Sequence, residues 1–386
     1  MITGRTVIVK LAGRCNLACP YCYMYSGPDQ SWRNRPRRLG PFEASLLIDR
    51  SAELLDDPNV HLTLEFHGGE PLLFGRARFE DLIGRLRAQL PESRVIYCLQ
   101  TNGVLLDEAW CTLFAANEVH WSISCDGPKA VHDRFRFAHN GRGSHAQVEA
   151  AIRRSLSRPD WCRWFGGVLA VIDPRQDGAE IVRYFHSLGI AHLDLLMPDA
   201  THAAPPAHLP GFSQKMLTRF LMKAFNAWTA LDDPNFHIRF FEHIAKGYFG
   251  MSPEIDAFGA GTDRLMVVET DGSYQLVDVL HTCGEEFTSI GGSLATRSLA
   301  EQFAAQTAAS IPPSRTCLAC PVFDLCGGGY LPHRFDGTGF DNPSVHCESI
   351  KATIAGVGRF LRTHVPAAAW TAATPPAGSR HPLRLA

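Results

Sequence analysis

The chain has 386 residues, enough for one large domain and a smaller one, because a single hydrophobic core usually stops growing at about 250 to 300 residues. Apolar residues make up 45% of the chain, charged residues make up 20%, and the formal net charge is -2. These values are typical of a globular protein and lack the basic balance of nonspecific nucleic-acid binding. No signal peptide begins the chain and no apolar run approaches about 18 residues, so we expect a cytoplasmic protein without a membrane partner.

Short β-like runs alternate with amphipathic segments through the first 200 residues. The predicted strands are 5–13, 61–69, 93–103, 119–127, 165–173 and 192–199, and the predicted helices are 41–55, 76–90, 107–116, 145–157 and 178–189. Six βα units in a row predict an α/β fold with a parallel sheet, either an open doubly wound sheet or an incomplete barrel. In a barrel of this kind the chemistry belongs to the loops after the strands.

The second half of the chain is less regular. Residues 198–211 are predicted to be a linker from their proline, alanine and glycine content, and a helix is expected at about 213–231. Residues 264–280, RLMVVETDGSYQLVDVL, predict a hairpin that turns at Asp271 and Gly272. From about residue 366 onward the composition predicts a disordered tail.

Three of the twelve cysteines stand close together, at Cys15, Cys19 and Cys22. Thiols in a cytosolic chain are more often ligands or buried apolar groups than disulfides. Three ligands do not fit a structural zinc site, which needs four, and the spacing differs from the bacterial ferredoxin run. Three thiolates would leave the fourth iron of a [4Fe-4S] cluster open to a substrate or cofactor.

The spacing C-x3-C-x2-C, with aromatic Tyr21 before the third cysteine, resembles the signature of the radical S-adenosylmethionine (SAM) enzymes. The resemblance implies that the amino and carboxylate groups of SAM chelate the open iron. It also implies that one electron from the cluster cleaves SAM to a 5′-deoxyadenosyl radical, with Tyr21 placed where it covers the adenine.

Further residues at the ends of successive strands match the cofactor contacts of the same family. They are Gly68, Gly69, Glu70 and Pro71 after the second strand, Gln100 after the third, Ser124, Asp126 and Arg136 after the fourth, and Met197 after the sixth. The glycines would let backbone carbonyls approach the ammonium of SAM, and Glu70 would fix the turn. Ser124 and Asp126 would contact the ribose or carboxylate, Arg136 would pair with the carboxylate, and Gln100 would face the substrate. The alternatives are a solvated loop charge for Arg136 and a core side chain for Met197.

A second cysteine group comprises Cys317, Cys320, Cys326 and Cys347. By spacing alone it allows either structural zinc or an iron-sulfur cluster. With the GGGY run that follows Cys326, it resembles the SPASM extension of peptide-modifying radical SAM enzymes. That resemblance implies an outer auxiliary [4Fe-4S] cluster, and so two [4Fe-4S] clusters and SAM as cofactors.

The SPASM pattern is incomplete in this chain. Tyr330 and Val277 stand where cysteines of the inner auxiliary cluster are expected, so we expect that cluster to be absent. Cys283 is interpreted as a buried thiol. Asp278 stands where related sulfatase maturases carry a catalytic base, and it is our candidate proton acceptor; the alternative is a plain aspartate at a strand end.

The stretches CYMYSGPDQSWRNRPRRL, VHDRFRFAHNGRGSH and DGSYQLVDVL are similar to those of FxsB-type radical SAM/SPASM maturases that form cyclophanes. The resemblance implies a partial (β/α)6 TIM-like barrel over 1–210, a helical bridge over 211–262 and a SPASM-like domain over 263–365. It also implies the reaction, a bond between an aromatic ring and a side-chain Cβ in a ribosomally made precursor peptide. The expected partners are that peptide and an electron donor such as flavodoxin or ferredoxin.

Other functions stay open on the sequence alone. A SPASM enzyme could instead form formylglycine, a thioether bond or an epimerised residue. A chain with these cysteines could also be a non-catalytic iron-sulfur or zinc protein that carries electrons or binds peptides. The open coordination site argues against the second class, since an electron carrier gains nothing from an iron without a protein ligand.

Overall fold

A computed structural model provides the structure of the protein and describes residues 2–206, 208–251, 255–259 and 264–366. The strands are β1 Thr3–Ala12, β2 Val60–Gly68, β3 Val95–Thr101, β4 Val119–Ser124, β5 Phe165–Val171, β6 His192–Leu196, β7 His237–Ile238, β8 Leu265–Val268, β9 Ser273–Gln275 and β10 Ser289–Ser293. The helices are α1 Tyr23–Ser26, α2 Pro41–Leu54, α3 Arg76–Gln89, α4 Glu108–Ala116, α5 Lys129–His132, α6 His145–Leu156, α7 Pro159–Cys162, α8 Gly178–Ser187, α9 Gln214–Leu231, α10 Arg239–Tyr248, α11 Leu299–Ala308, α12 Arg315–Leu318, α13 Phe323–Cys326 and α14 Cys347–His364.

The six predicted strands and their helices form close to the predicted positions, so the expected α/β fold with a mostly parallel sheet is confirmed. The described residues group into two compact units. The first comprises 2–125, 132–169 and 264–310, and the second comprises 126–131, 170–206, 208–251, 255–259 and 311–366. Both units are discontinuous in the sequence. The domain boundaries expected from the sequence stay a prediction.

The first unit is built on a sheet with the strand order β10-β9-β8-β1-β2-β3-β4-β5. Strands β8 to β5 in this order run parallel, and β9 and β10 continue the sheet antiparallel. The second half of β1 is a continuous buried run, as expected for a central strand covered on both faces. Because the strands are parallel, the loops that follow β1, β2, β3 and β4 emerge at the same edge of the sheet.

The hairpin predicted around Asp271 and Gly272 forms between β8 and β9, with Gly272 at φ +75°. The predicted second strand is too long, because β9 ends at Gln275 and a 3₁₀ turn spans Asp278–Thr282. Asp278 therefore begins a turn and does not end a strand. Where the chain leaves the sheet, the Asp278 side chain pairs with buried Lys10 on β1.

The second unit packs helices around the parallel pair β6 and β7. The ring of Phe225 on α9 packs against the rings of Phe241 on α10 and Phe360 on α14, with centroids 5.3 and 5.4 Å away. The linker predicted at 198–211 carries no helix or strand in its described residues, yet Thr201 and Leu209 within it are buried. Helices α10 to α14 were not predicted from the sequence.

The predicted disordered tail lies outside the described residues except for Pro366. None of the helices in the described ranges has the length and apolar character needed to cross a membrane.

We expect Phe114→Ala to lower the free energy of unfolding by about 3–5 kcal/mol, because the ring is fully buried on α4 against Phe79, Trp110 and Trp121. Phe42→Ala is the matched control, since Phe42 on α2 is 63% exposed and its truncation should change stability by no more than about 0.5 kcal/mol. Denaturant unfolding of anaerobically purified protein measures both changes. Equal losses in the two variants would show that this aromatic cluster is not part of the core.

Candidate active site

The first cysteine group lies on the loop between β1 and α1, at the edge where the parallel strands end. Two backbone hydrogen bonds hold the loop. Ala18 N–H donates to the Phe137 carbonyl at 2.8 Å, and within the loop Cys22 N–H donates to the Cys19 carbonyl at 3.1 Å. The Cys15 Sγ accepts hydrogen bonds from Leu17 N–H and from the Asn102 side chain. Burial raises the pKa of Cys15 to about 12, so a bound cation would be needed to hold it as a thiolate at neutral pH.

Gly68 and Gly69 bring the end of β2 directly against the chain that leads into the cysteine loop. Gly69 N–H donates to the Ala12 carbonyl at 2.8 Å. Gly68 has φ +141°, and a Cβ on it would overlap the Ala12 carbonyl oxygen. A Cβ on Gly69 would overlap the Tyr25 hydroxyl, so neither position tolerates a side chain.

Glu70 is fully buried directly after the two glycines. Its carboxylate accepts hydrogen bonds from Thr101 Oγ1 at 2.7 Å, Asn102 N–H at 2.8 Å and Leu72 N–H at 3.1 Å. Burial raises the pKa of Glu70 to about 7, and the three donors oppose that shift. Glu70 therefore ties the loop after β2 to the loop after β3, whose Asn102 reaches Cys15.

The other predicted contact residues of the first unit lie at the same strand ends. Gln100 Nε2 donates to Ser124 Oγ at 2.8 Å, which joins the ends of β3 and β4. The Arg136 guanidinium lies over the Tyr21 ring, 5.5 Å from its centroid, and Phe135 packs edge-on to the same ring at 6.0 Å. Tyr21, a residue of the cysteine loop itself, therefore lies beneath the Arg136 guanidinium.

Asp126 and Met197 belong to the second unit. Asp126 is 4% exposed and accepts a hydrogen bond from Val171 N–H at 3.1 Å. Met197 follows β6 and is 7% exposed. The cofactor roles of these two residues stay predictions.

Asp278 contacts two residues that the sequence patterns did not single out. Its Oδ2 forms a short ion pair with Lys10 Nζ and accepts a hydrogen bond from the Tyr23 hydroxyl at 2.7 Å. Lys10 lies on β1, fully buried, with its Nζ 3.2 Å from His67 Nδ1. Tyr23 directly follows Cys22, so a carboxylate 255 residues away in the sequence reaches the residue beside the third cysteine.

The charges of this group follow from burial and pairing. Burial alone would raise the pKa of Asp278, but the Lys10 ammonium outweighs it and holds that pKa well below its usual range. Burial and the Lys10 charge lower the pKa of His67 to about 4, so its ring is neutral at neutral pH. Asp278 is therefore an ionised carboxylate at neutral pH. Its second oxygen, Oδ1, has no hydrogen-bond partner among the described residues.

The second cysteine group lies in the second unit and lines one cavity. The four thiols come from α12, the turn after it, α13 and the start of α14, and Lys351 lines the same cavity. Gly327, Gly328 and Gly329 all have positive φ, which lets the chain turn sharply after Cys326. Within the described ranges, no three His, Cys, Asp or Glu side chains are grouped closely enough to hold a single metal ion.

The donor chemistry of both cysteine groups fits iron-sulfur clusters. Four thiols around a single cavity are the ligand set of a [4Fe-4S] cluster. Beside the three-cysteine loop, the Tyr25 hydroxyl is buried and has no hydrogen-bond partner among the described residues. A buried polar group without a partner is uncommon in native proteins, and this one suits a site that binds a polar cofactor.

Known proteins share these features. Residues 9–160 match the family model of the Radical SAM superfamily. Over these residues the chain is similar to radical SAM proteins. A cysteine-type anaerobic sulfatase-maturating enzyme of Clostridium novyi (strain NT) is 25% identical over 364 residues, covering 90% of this chain and 93% of the relative. A serine-type enzyme of Bacteroides thetaiotaomicron is 25% identical over 368 residues, covering 88% and 86%.

Solved structures share the fold of this chain. "Native anSMEcpe with bound AdoMet and Cp18Cys peptide" has a TM-score of 0.79 at 23% identity, covering 94% of this chain and 98% of that one. Streptococcus suis SuiB bound to precursor peptide SuiA has a TM-score of 0.61 at 12% identity, covering 89% and 76%. The expected fold, a radical SAM partial barrel with a C-terminal domain, is confirmed. The match to this family model also confirms the predicted cofactors, SAM and [4Fe-4S] clusters.

The superfamily match covers the cysteine loop and the GGEP turn but not Asp278 or the second cysteine group. Which cysteines hold each cluster, and which residues contact SAM, stay predictions.

The sequence carries a signal for the role of Lys10 that the motif analysis missed. Lys10 stands within the apolar run TVIVKLAG, and a lysine is almost never fully buried without a partner. Cys283, predicted to be a buried thiol, is 7% exposed.

We expect Gly69→Ala to weaken SAM binding by about tenfold or more, because the added methyl overlaps Tyr25 and lies 2.5 Å from the Arg14 carbonyl that leads into the cysteine loop. Gly84→Ala is the control, since nothing lies within 4 Å of that position on α3. Equilibrium binding of SAM to the anaerobically reconstituted protein measures the effect. Unchanged affinity in Gly69→Ala would separate the GGEP turn from the cofactor site.

We expect Cys326→Ala to lower the iron content by about four atoms per chain, the content of one [4Fe-4S] cluster, because it removes a ligand from the four-thiol cavity. Cys162→Ala removes an exposed cysteine and should leave the iron content unchanged. Iron and sulfide analysis after anaerobic reconstitution measures both. An unchanged count in Cys326→Ala would rule out a cluster at this cavity.

Proposed function

We propose that this radical SAM enzyme modifies a ribosomally made precursor peptide by joining an aromatic ring to a side-chain Cβ. The peptide-bound relatives support a peptide substrate, and the resemblance of the DQSW and DGSYQLVDVL stretches supports the cyclophane branch. The reaction takes place in the cytoplasm, where thiols stay reduced. Flavodoxin or ferredoxin supplies the first electron.

One observation carries this proposal. Asp278 is buried, ionised and bonded to Tyr23, the residue next to Cys22. A carboxylate in this position can take a proton from a substrate that is oxidised beside the cysteine loop. Its Oδ2 is occupied by Lys10 and Tyr23, so Oδ1 is the oxygen that accepts.

Other residues of the first unit would bind and orient the cofactor. Cys15, Cys19 and Cys22 would hold the three protein-ligated irons of the first cluster. The GGEP turn and Arg136 would contact the amino and carboxylate groups of SAM, and Tyr21 would cover its adenine. When bound, this cofactor would supply a 5′-deoxyadenosyl radical to take one hydrogen atom from the substrate Cβ.

The balance of the reaction explains why a weak base is enough. The Cβ radical adds to the aromatic ring, and the adduct must lose one electron and one proton to regain aromaticity. After the electron has left, the ring proton is strongly acidic, so a carboxylate of lowered pKa still accepts it. Cys317, Cys320, Cys326 and Cys347 would hold the cluster that takes up the electron. The peptide loses two hydrogens in total, one to 5′-deoxyadenosine and one to Asp278.

We expect Asp278→Asn to lower peptide modification by about 10²–10⁴-fold while 5′-deoxyadenosine still forms, because the amide cannot accept the proton. Asp81→Asn, on the exposed face of α3, should leave modification unchanged. Liquid chromatography of 5′-deoxyadenosine and mass spectrometry of the peptide measure the two products.

Asp278→Asn leaves the Lys10 charge buried without its partner, which can destabilise the fold. The double variant Lys10→Met with Asp278→Asn removes that charge as well. Peptide modification at the wild-type rate in either folded variant would refute the role of Asp278.

Formylglycine formation is the second candidate, and the sulfatase-maturating relatives favour it because they align over most of the chain. It shares the first step at Cβ and the loss of one electron and one proton. The products differ. Formylglycine formation converts a serine or cysteine side chain into an aldehyde, whereas cyclophane formation joins a side-chain Cβ to an aromatic ring.

A synthetic peptide library separates the two candidates. Each peptide carries Trp, Phe, Tyr or His two positions before a variable residue, and a parallel set carries Cys or Ser in the variable position without an aromatic residue. We expect a two-hydrogen mass loss only with the aromatic set, no reaction with hydrazide, and no backbone fragments between the joined residues. A hydrazide-reactive aldehyde from the second set would establish the formylglycine reaction instead.

A further inference from the structure

A buried ion pair lies beside the candidate proton acceptor and has no role in the reaction described above. Asp29 and His281 are each 1% exposed, and the His281 Nδ1 lies 2.5 Å from Asp29 Oδ2. Ser31 N–H donates to the other carboxylate oxygen at 2.8 Å, so Asp29 is fixed from both sides. Glu269 lies 3.9 Å from the opposite ring nitrogen of His281.

This pair joins the same two segments that Asp278 joins. Asp278 and His281 stand three residues apart in one 3₁₀ turn, where residues i and i+3 lie on the same side. Asp278 bonds to Tyr23, and His281 bonds to Asp29, six residues further along the same segment. The turn is therefore attached at both of its ends to the segment that follows the cysteine loop.

The backbone makes the same attachment. Asp29 N–H donates to the His281 carbonyl at 3.4 Å, and a Cβ on Gly27 would lie 2.9 Å from that carbonyl oxygen. The glycine allows the segment to approach the turn this closely. Gly27 and Asp29 of the stretch GPDQSW therefore serve to contact the turn that carries His281.

We propose that the Asp29–His281 pair positions Asp278, by holding its turn against the segment that follows Cys22. This inference rests on the proposed function for its consequence, since a proton acceptor must lie within hydrogen-bond reach of the atom it deprotonates. Asp29 and His281 are positioning residues and do not touch the substrate. Loss of the pair leaves this end of the turn attached only by the 3.4 Å backbone hydrogen bond from Asp29 N–H, while Asp278 keeps Lys10 and Tyr23.

The test compares His281→Ala with His281→Asn in the full-length, anaerobically reconstituted protein. The asparagine side-chain N–H₂ reaches the place of Nδ1 and keeps a donor for Asp29, whereas alanine removes it. We measure the alkylation rate of Cys283, a buried thiol that directly follows the turn, with fully buried Cys111 as an internal monitor of global unfolding. We also measure 5′-deoxyadenosine formed per modified peptide, using the library peptide that the wild type modifies fastest.

His281→Ala should raise the Cys283 alkylation rate about tenfold or more at an unchanged Cys111 rate, because the turn opens locally. It should also form 5′-deoxyadenosine at the wild-type rate while the yield of modified peptide falls about tenfold or more. His281→Asn should restore both quantities. Asp29→Ala should behave as His281→Ala does, since it removes the same bond from the other side.

Two results would overturn the inference. Wild-type Cys283 alkylation in His281→Ala would show that the pair does not hold the turn. A wild-type ratio of modified peptide to 5′-deoxyadenosine, with Cys283 exposed, would show that holding the turn does not matter to Asp278. If the wild type modifies no library peptide, the proposed function fails by itself, and the Cys283 rates still decide whether the pair holds the turn.

Discussion

The buried ammonium of Lys10 is the constraint on which the candidate site depends. A lysine inside a central β-strand cannot stay charged without a partner, because the removal of an ion from water costs several kcal/mol even after relaxation. Asp278 is the acidic residue that pairs with it among the described residues. Because Lys10 lies near the end of β1, its partner must lie near the cysteine loop that follows the strand. The turn at Asp278–Thr282 is thereby brought to the place where the radical chemistry is proposed.

The parallel sheet accounts for the rest of the arrangement. Parallel strands end at a common edge, so the loops after β1, β2 and β3 meet there. Gly68 and Gly69 let two of these loops approach within hydrogen-bond distance, and the three donors to Glu70 fix the contact. Cofactor binding and proton acceptance therefore depend on strand register as much as on the identity of the residues. A shift of one residue would turn Lys10 to the opposite face of the sheet.

The sequence was informative where the signal is local. Strand and helix periods placed the six βα units, and the spacing of Cys15, Cys19 and Cys22 indicated the superfamily whose family model matches residues 9–160. The hairpin at Gly272 was equally clear, because its turn needs a positive φ.

What the sequence could not give is the pairing of distant residues. Lys10 with Asp278 and Asp29 with His281 are each separated by more than 250 positions, and no spacing rule connects them. The short helices α12 and α13 carry too few residues for a periodic signal. The longer α14 begins at Cys347, so its helical period starts within the cysteine group and is hidden by the ligand spacing.

The most direct test of the account is the distance between Asp278 and bound SAM in an anaerobic crystal structure of the reconstituted enzyme. The substrate Cβ must approach the SAM 5′ carbon to about 3.5 Å, and the ring carbon that it bonds must approach the accepting oxygen to about 3.5 Å. The account therefore predicts that Asp278 Oδ1 lies roughly 7–9 Å from the SAM 5′ carbon. A separation well beyond about 12 Å, or an Oδ1 turned away from SAM, would contradict the assignment of Asp278 as the proton acceptor.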